Sequence, residues 1–228
     1  MERYSLITEK LPREFVLLQG RGCRWRRCTY CDYYGDVSTA PFEVNRAVLE
    51  QVTGEYGVLD VINSGSAMEL DEATLCLIAE VVRTKHIHTL WFEAHYMYRN
   101  HLKEFAQRFG PDVEVKFRCG VESFDGKIRE SWHKGIDESV TVEDVARHFK
   151  GVCLLVGVEG QTREQILRDL ALAEEHFEYY SVNLFCNNST PIRRDEELAT
   201  WLCEEVFPTL RDNKKAEVLA ENTDLGVG

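Results

Sequence analysis

Gly22-Cys23-Arg24-Trp25-Arg26-Arg27-Cys28-Thr29-Tyr30-Cys31-Asp32-Tyr33-Tyr34-Gly35-Asp36 sets three cysteines within nine residues, spaced C-x4-C-x2-C. The run before it, Phe15-Val16-Leu17-Leu18-Gln19, is short and apolar and predicts a buried strand that opens into the cysteine loop. Thiolates this close can face one metal centre, and soft sulfur ligands select zinc or an iron–sulfur cluster. A closed structural zinc site takes four ligands, usually in two separated pairs. Here the cysteines stand together and the chain has no second C-x2-C. A four-iron cluster held by three cysteines leaves one iron open to another ligand. The alternative is a zinc knuckle completed by a distant cysteine.

Outward from the loop, composition bounds the rest. The 228 residues, 44% hydrophobic and 29% charged, suffice for a single domain over residues 1–228 with its own core. The net charge of −12 argues against general nucleic-acid binding, which needs a basic face. Arg21, Arg24, Arg26 and Arg27 form a local exception, and guanidiniums there would offset an anionic cluster. The segment Met1 to Glu14 is charged, and no stretch reads as a signal peptide or membrane span. The eight cysteines are therefore expected as thiols in a reducing compartment, the cytoplasm.

Strand-like and helical runs alternate along the chain. After the loop, a helix is expected over about 42–52, then strands at Val58–Asn63, His88–Glu93, Val113–Cys119, Val152–Val156 and Tyr180–Phe185. Helices are expected over about 71–84, 99–109, 125–132, 141–148, 162–176 and 195–211. Leu75, Ile78, Ala79 and Val82 share one face of the second, and Thr162 with Gln165 has capping-box spacing. Ala216–Ala220 reads as a last strand. Six strand–helix units imply an α/β fold with a parallel sheet, either a partial barrel or a doubly wound flavodoxin-like sheet. Both gather ligands at the carboxyl ends of the strands.

The cysteine loop, with Tyr30 just before its last cysteine and its place after the first strand, resembles the radical S-adenosylmethionine superfamily. The common spacing has one residue fewer between the first two cysteines, which marks this chain as an unusual subfamily. The resemblance spans roughly residues 15–190 and implies a partial (β/α)6 TIM-like barrel. It implies a [4Fe-4S] cluster on Cys23, Cys28 and Cys31, with S-adenosylmethionine on the open iron. Other motifs follow in the superfamily's order. Ser64-Gly65-Ser66 stands where a small-residue turn receives the methionine amino group. Glu122, in Gly120-Val121-Glu122, stands where a carboxylate binds the ribose hydroxyls. Gly157, Gly160 and Thr162 stand where a turn backs the adenine, and Tyr30 and Asn183 complete the expected cofactor pocket.

On the substrate side, alternation puts Glu93 and His95 on one strand face, as candidate catalytic groups. Asn183, Asn187, Asn188 and Thr190 form a polar cluster after a strand. Cys119, Cys153 and Cys186 read as small buried residues. The segments Leu59–Asp71, Leu90–Tyr98 and Asn222–Gly228 are similar to a family of short radical S-adenosylmethionine proteins that includes queuine lyases. That resemblance implies a small-molecule substrate, queuine or another 7-deazaguanine, cleaved at a carbon–nitrogen bond, and an electron donor such as flavodoxin or ferredoxin. Glu93, Glu69, Asn187 and Asp224 are the candidate substrate contacts, since a carboxylate accepts both N1–H and the 2-amino group. The tail from Asn222 is expected across the barrel mouth. The competing readings are a 7-deazapurine synthase-like enzyme, a radical activase, and a zinc protein that binds RNA through Arg21–Arg27.

Overall fold

Eight strands form one sheet in the computed structural model, which describes residues 2–227. They are β1 (Tyr4–Ile7), β2 (Arg13–Leu18), β3 (Val58–Asn63), β4 (Thr89–Glu93), β5 (Glu114–Glu122), β6 (Gly151–Val156), β7 (Tyr179–Leu184) and β8 (Ala216–Leu219). Their order is sequential from β1 to β8. β1 pairs antiparallel with β2, and the pairs β2–β3, β3–β4, β5–β6, β6–β7 and β7–β8 are parallel. Sequential order with parallel neighbours is the topology of a partial (β/α) barrel. It excludes the flavodoxin-like alternative, whose order reverses at a switch point.

The sheet has eight strands where six units were expected. β8 supplies one of the extra two, at the position read as a last strand. The other, β1, was missed inside the segment Met1 to Glu14. Its four residues are short for a pattern, and only an antiparallel edge pairing with β2 defines it. Met1 and the final Gly228 of the tail lie outside the described residues.

The helices are α1 (Pro41–Leu49), α2 (Glu72–Thr84), α3 (Leu102–Ala106), α4 (Gly126–Ser131), α5 (Val142–Ala146), α6 (Arg163–His176), α7 (Glu196–Trp201) and α8 (Phe207–Leu210). Asp71 caps α2 through the Thr74 amide, and α2 buries Leu75, Ile78 and Val82, with Ala79 half-buried. Each fully buried aliphatic side chain there stabilises by roughly 1.5–3 kcal/mol. Thr162 and Gln165 form the expected capping box of α6. Two predicted helices are broken. The stretch near 99–109 holds α3 and a following 3-10 turn, ended by Gly110 in the left-handed region. The stretch near 195–211 holds α7, a π-helical turn over Leu202–Val206, and α8. Pro208 has no N–H to give the carbonyl four residues back, so the regular ladder cannot run through it.

The chain divides into two compact units. The first comprises residues up to Arg26, Tyr33–Phe117 and from Leu225 on; the second comprises Arg27–Asp32 and Arg118–Asp224. In the first, Leu90, Phe92 and Ala94 are fully buried and Phe92 packs on Phe105, Phe109 and Phe117. In the second, β6 and β7 bury Val152, Leu154 and Val182 completely, with Ile166 and Ala173 of α6. One buried ion pair lies in the first unit, where Arg13 Nε stands 2.9 Å from the Asp60 carboxylate. Among the described residues no helix is long and apolar enough to cross a membrane.

Candidate functional site

In the first unit Cys23 lies beside the turn after β3 and the end of β4. Gly22, at φ +84°, turns the chain out of β2 into the loop. Cys23 then runs past the Ser64–Ser66 turn, and a Cβ on Gly65 would lie 3.2 Å from the Cys23 Cα and collide with the Glu69 carboxylate. The small residue in this turn leaves room for the Glu69 carboxylate and lets the cysteine loop pack close. Ser64 Oγ donates to Asp36 (3.2 Å), whose carboxylate also accepts from Arg3 (3.0 Å) and Gln19 Nε2 (2.8 Å). Burial works against the Asp36 charge, but Arg3 and Gln19 outweigh it and hold this carboxyl below the usual range.

Glu93 and His95 do share a face, as alternation predicts. Trp91, Glu93 and His95 are half-buried, while Leu90, Phe92 and Ala94 between them are buried. His95 is held at three points. Its amide donates to Ser66 Oγ (2.9 Å), its Nδ1 accepts from the Met97 amide (3.1 Å), and its ring stacks on Trp25 with centroids 5.7 Å apart. An Nδ1 that accepts leaves the ring proton of the neutral imidazole on Nε2. Glu69 has a different surrounding from the one expected. Its Oε1 accepts from the Arg24 amide (3.1 Å) and Tyr98 Oη (2.9 Å), and its Oε2 from the Ser66 amide (2.9 Å). The chain itself thus takes up the carboxylate read as a substrate contact. Burial and the Glu69 charge push the Tyr98 phenol up to about 12, so it stays a donor.

Cys28 and Cys31 belong to the second unit. The Cys31 amide donates to the Cys28 carbonyl (3.4 Å), closing a tight turn. The Thr29 amide bonds the Trp132 carbonyl (3.0 Å), Asn188 Nδ2 bonds the Tyr30 carbonyl (2.7 Å), and Ser189 bonds Asp32 through its amide (3.0 Å) and hydroxyl (2.7 Å). The Tyr30 ring is buried among Trp132, Leu155, Val158 and Phe185, with Cys28 and Cys31 against the same cluster. The polar group after β7 thus grips the cysteine turn through Asn188, while Thr190 bonds Asn188 Oδ1. Asn188 and Ser189 stand more than 150 residues from their partners Tyr30 and Asp32, and no spacing in the sequence signals the pairing.

β5 ends in a bulge at Gly120–Glu122, and Glu122 has φ +66°. A non-glycine residue in the left-handed region carries a conformational cost and aims its side chain unusually. The Glu122 carboxylate meets Lys134 Nζ at 2.8 Å, and that ammonium lies 5.8 Å from the Tyr30 ring centroid. Lys134 had no signal in the sequence. Burial works against its charge, but Glu122 outweighs this and holds it protonated well above the ordinary range. Burial, reinforced by Glu122, pushes the Tyr30 phenol well up.

The remaining expected residues are in the second unit. Gly157, at φ +77°, leaves no room for a side chain beside Leu184 Cδ1, and Gly160 has φ +90°. Gln161 closes their turn through the Val158 amide and Leu155 carbonyl, both at 2.9 Å. Thr162 accepts from the Gln165 amide as N-cap of α6. Asn183 donates to the Leu154 carbonyl (3.0 Å) and Ser181 Oγ (3.2 Å). Asn187 is exposed and accepts from the Arg194 amide (2.8 Å). Asp224 Oδ2 accepts from the amides of Ala220 (2.6 Å) and Glu221 (2.9 Å), so this carboxylate closes its own turn. Of the small cysteines, Cys119 is buried and Cys153 and Cys186 half-buried. Among the described residues no three His, Cys, Asp or Glu side chains are gathered as a metal-binding group.

Comparison with solved structures shows a full-length likeness. The chain is similar to a queuine lyase from Clostridium spiroforme bound to S-adenosylmethionine and queuine, at 40% identity and a TM-score of 0.95. The match covers 100% of this chain and 99% of that one. No family model and no curated protein matches the sequence. Together with the sequential α/β sheet, this likeness defines a radical S-adenosylmethionine enzyme of the lyase class. The chain belongs to the queuine lyase family.

Proposed function

We propose that this protein binds S-adenosylmethionine and cleaves queuine, releasing a smaller 7-deazaguanine base by carbon–nitrogen bond scission. The observation that carries the reading is the 40% identity, over the whole chain, to a queuine lyase bound to both molecules. The cysteine loop supports the same chemistry. Cys23, Cys28 and Cys31 are half-buried thiols and none of the cysteines is in a disulfide. Three soft donors at C-x4-C-x2-C spacing fit a [4Fe-4S] cluster with one open iron. When bound and reduced, that cluster supplies the electron that splits S-adenosylmethionine and yields the 5′-deoxyadenosyl radical.

The protein's own part is to bind, orient and keep water out. Tyr30 and the apolar side chains around it give an adenosyl group a dry wall. The Ser64–Ser66 turn presents small residues to the methionine end, and Glu122 presents an acceptor for ribose hydroxyls with Lys134 fixing its carboxylate. The Gly157–Thr162 turn and Asn183 complete the cofactor side. On the substrate side Glu93 accepts from N1–H and the 2-amino group, His95 donates through Nε2, and Asn187 serves the rim. Glu69 and Asp224 stay candidate substrate contacts, their carboxylates also accepting from donors of the chain itself. The electron comes from a donor such as flavodoxin or ferredoxin, and the reducing cytoplasm suits the thiols.

The test is anaerobic iron and sulfide reconstitution, then incubation with reductant, S-adenosylmethionine and queuine. Equal amounts of 5′-deoxyadenosine and a smaller 7-deazaguanine are expected by mass spectrometry. Queuine recovered intact beside steady 5′-deoxyadenosine formation would refute the substrate while leaving radical chemistry in place.

A further inference from the structure

Glu69 holds Cys23 from both sides. Its main-chain carbonyl accepts from the Arg21 amide (3.5 Å), two residues before the cysteine, and its carboxylate accepts from the Arg24 amide (3.1 Å), one residue after it. A third constraint acts on Cys23 itself: the missing side chain of Gly65 lets the Cys23 Cα pack onto the turn, at 3.2 Å from where a Cβ would stand. The carboxylate is fixed in turn by the Ser66 amide and by Tyr98 Oη, both at 2.9 Å. All of these contacts lie within the first unit.

We infer that Glu69 is a positioning residue for Cys23, setting where this thiolate stands when it takes a metal centre; the inference rests on the iron–sulfur reading above. The argument is physical. The loop carries four arginines, and its backbone around Cys23 pairs with no strand. Without an external acceptor its amides would turn to water and the thiol would sample many positions. One residue that supplies two acceptors across the four residues from Arg21 to Arg24 removes that freedom. A carboxylate suits the task better than an amide, because both its oxygens accept and here all three of its partners donate. Supporting groups of this kind commonly change metal affinity about 10–100-fold when removed.

The experiment compares wild type, Glu69→Gln and Gly65→Ala after anaerobic reconstitution and desalting. It reads iron and sulfide per chain, the electron paramagnetic resonance spectrum of the reduced centre, and queuine binding. Circular dichroism melts of the unreconstituted chains report folding separately. The Glu69→Gln amide keeps an acceptor for Arg24 but turns a donor toward Ser66, so iron should dissociate about ten-fold faster with a shifted spectrum. Gly65→Ala puts a Cβ into the Glu69 carboxylate and close against the Cys23 Cα, so it disturbs the same support from the other side and should produce the same iron loss. A Glu69→Gln protein with wild-type iron retention and spectrum, but weakened queuine binding, would make Glu69 a substrate contact and overturn the inference. If wild type itself takes up no iron, the iron–sulfur reading falls and this inference with it. Wild type that loads beside variants that load identically removes only the inference.

Discussion

Lys134 Nζ and the Glu122 carboxylate form an ion pair at 2.8 Å with each side chain about nine-tenths buried. The pair stands at the end of β5, where Glu122 takes a left-handed conformation that only a strong local constraint retains. Removing one partner of a buried pair leaves an uncompensated charge, which is why such pairs are costly to break singly. Glu122→Gln should therefore lose about 3 kcal/mol of stability in urea unfolding, and the Glu122→Gln/Lys134→Met double variant should regain most of it. S-adenosylmethionine affinity should fall by about 1–3 kcal/mol in the single variant. Unchanged affinity in a folded, cluster-loaded Glu122→Gln protein would take Glu122 out of the cofactor site.

Cys28 and Cys119 should behave oppositely. Cys28→Ala should abolish iron retention and 5′-deoxyadenosine formation, because a cluster needs all three thiolates of the loop. Cys119→Ala, a small change in the core, should keep both. Iron analysis with the ~410 nm absorbance expected of a thiolate-ligated cluster decides the matter, and retained absorbance in Cys28→Ala would count against the ligand set.

Glu93→Gln tests the substrate edge. An amide satisfies one of two donors where a carboxylate satisfies both. The KM for queuine should rise about ten-fold or more, in line with a lost hydrogen bond to a charged group, while iron content and S-adenosylmethionine binding stay at wild-type levels. Steady-state kinetics with an unchanged KM would exclude Glu93 from the base.

Asp169 gives a pH dependence. It accepts from Ser123 Oγ (2.6 Å) and the Phe124 amide (3.0 Å), and burial raises its carboxyl from 3.8 to about 6 against those bonds. The unfolded chain gives up this proton near its ordinary value, and the folded chain holds it until about pH 6. Between the two the folded state binds more protons, so this group's contribution falls as pH rises, by about 3 kcal/mol in all. Asp169→Asn keeps the geometry without the titration. The stability difference between wild type and Asp169→Asn should drop across pH 4 to 6, and a flat difference would show an unshifted carboxyl.

Arg129 holds the same turn from the other side. Its buried guanidinium donates to the carbonyls of Ser123, Phe124, Asp137, Glu138 and Val140 at 2.8–3.4 Å. Lysine has one charged nitrogen and cannot serve so many acceptors in a plane. Arg129→Lys should cost at least about 3 kcal/mol, measured by denaturant unfolding, and a loss under 1 kcal/mol would mean that water replaces the missing donors.

Much of this architecture is written locally. The apolar runs of β3 and β6 and the caps Asp71 and Thr162 are neighbours in sequence, and the elements fall within a residue or two of where the patterns put them. β1 escaped because a four-residue edge strand has too few turns of alternation to register. The helix near 195–211 was drawn through Pro208, although a missing N–H is itself a local signal of a break. The cysteine loop was legible because its three cysteines fall within nine residues. Its supports were not. Asn188 on Tyr30, Ser189 on Asp32 and Lys134 on Glu122 are pairings made by the fold, between residues whose types alone suggest nothing. Glu69 shows the limit most clearly. The type of this residue says nothing of its three donors, Arg24, Ser66 and Tyr98, which the fold brings to it.

The lengths of the outer strands have a consequence for the protein's behaviour at high concentration. β1 and β8, at the two ends of the sheet, have four residues each, while those between have five to nine. An exposed sheet edge is a template for a stray chain, and its danger grows with the number of unsatisfied amides in register. Edges this short offer little to copy. The protein should therefore resist edge-to-edge aggregation while folded, and precipitation on heating should track loss of the native sheet rather than precede it.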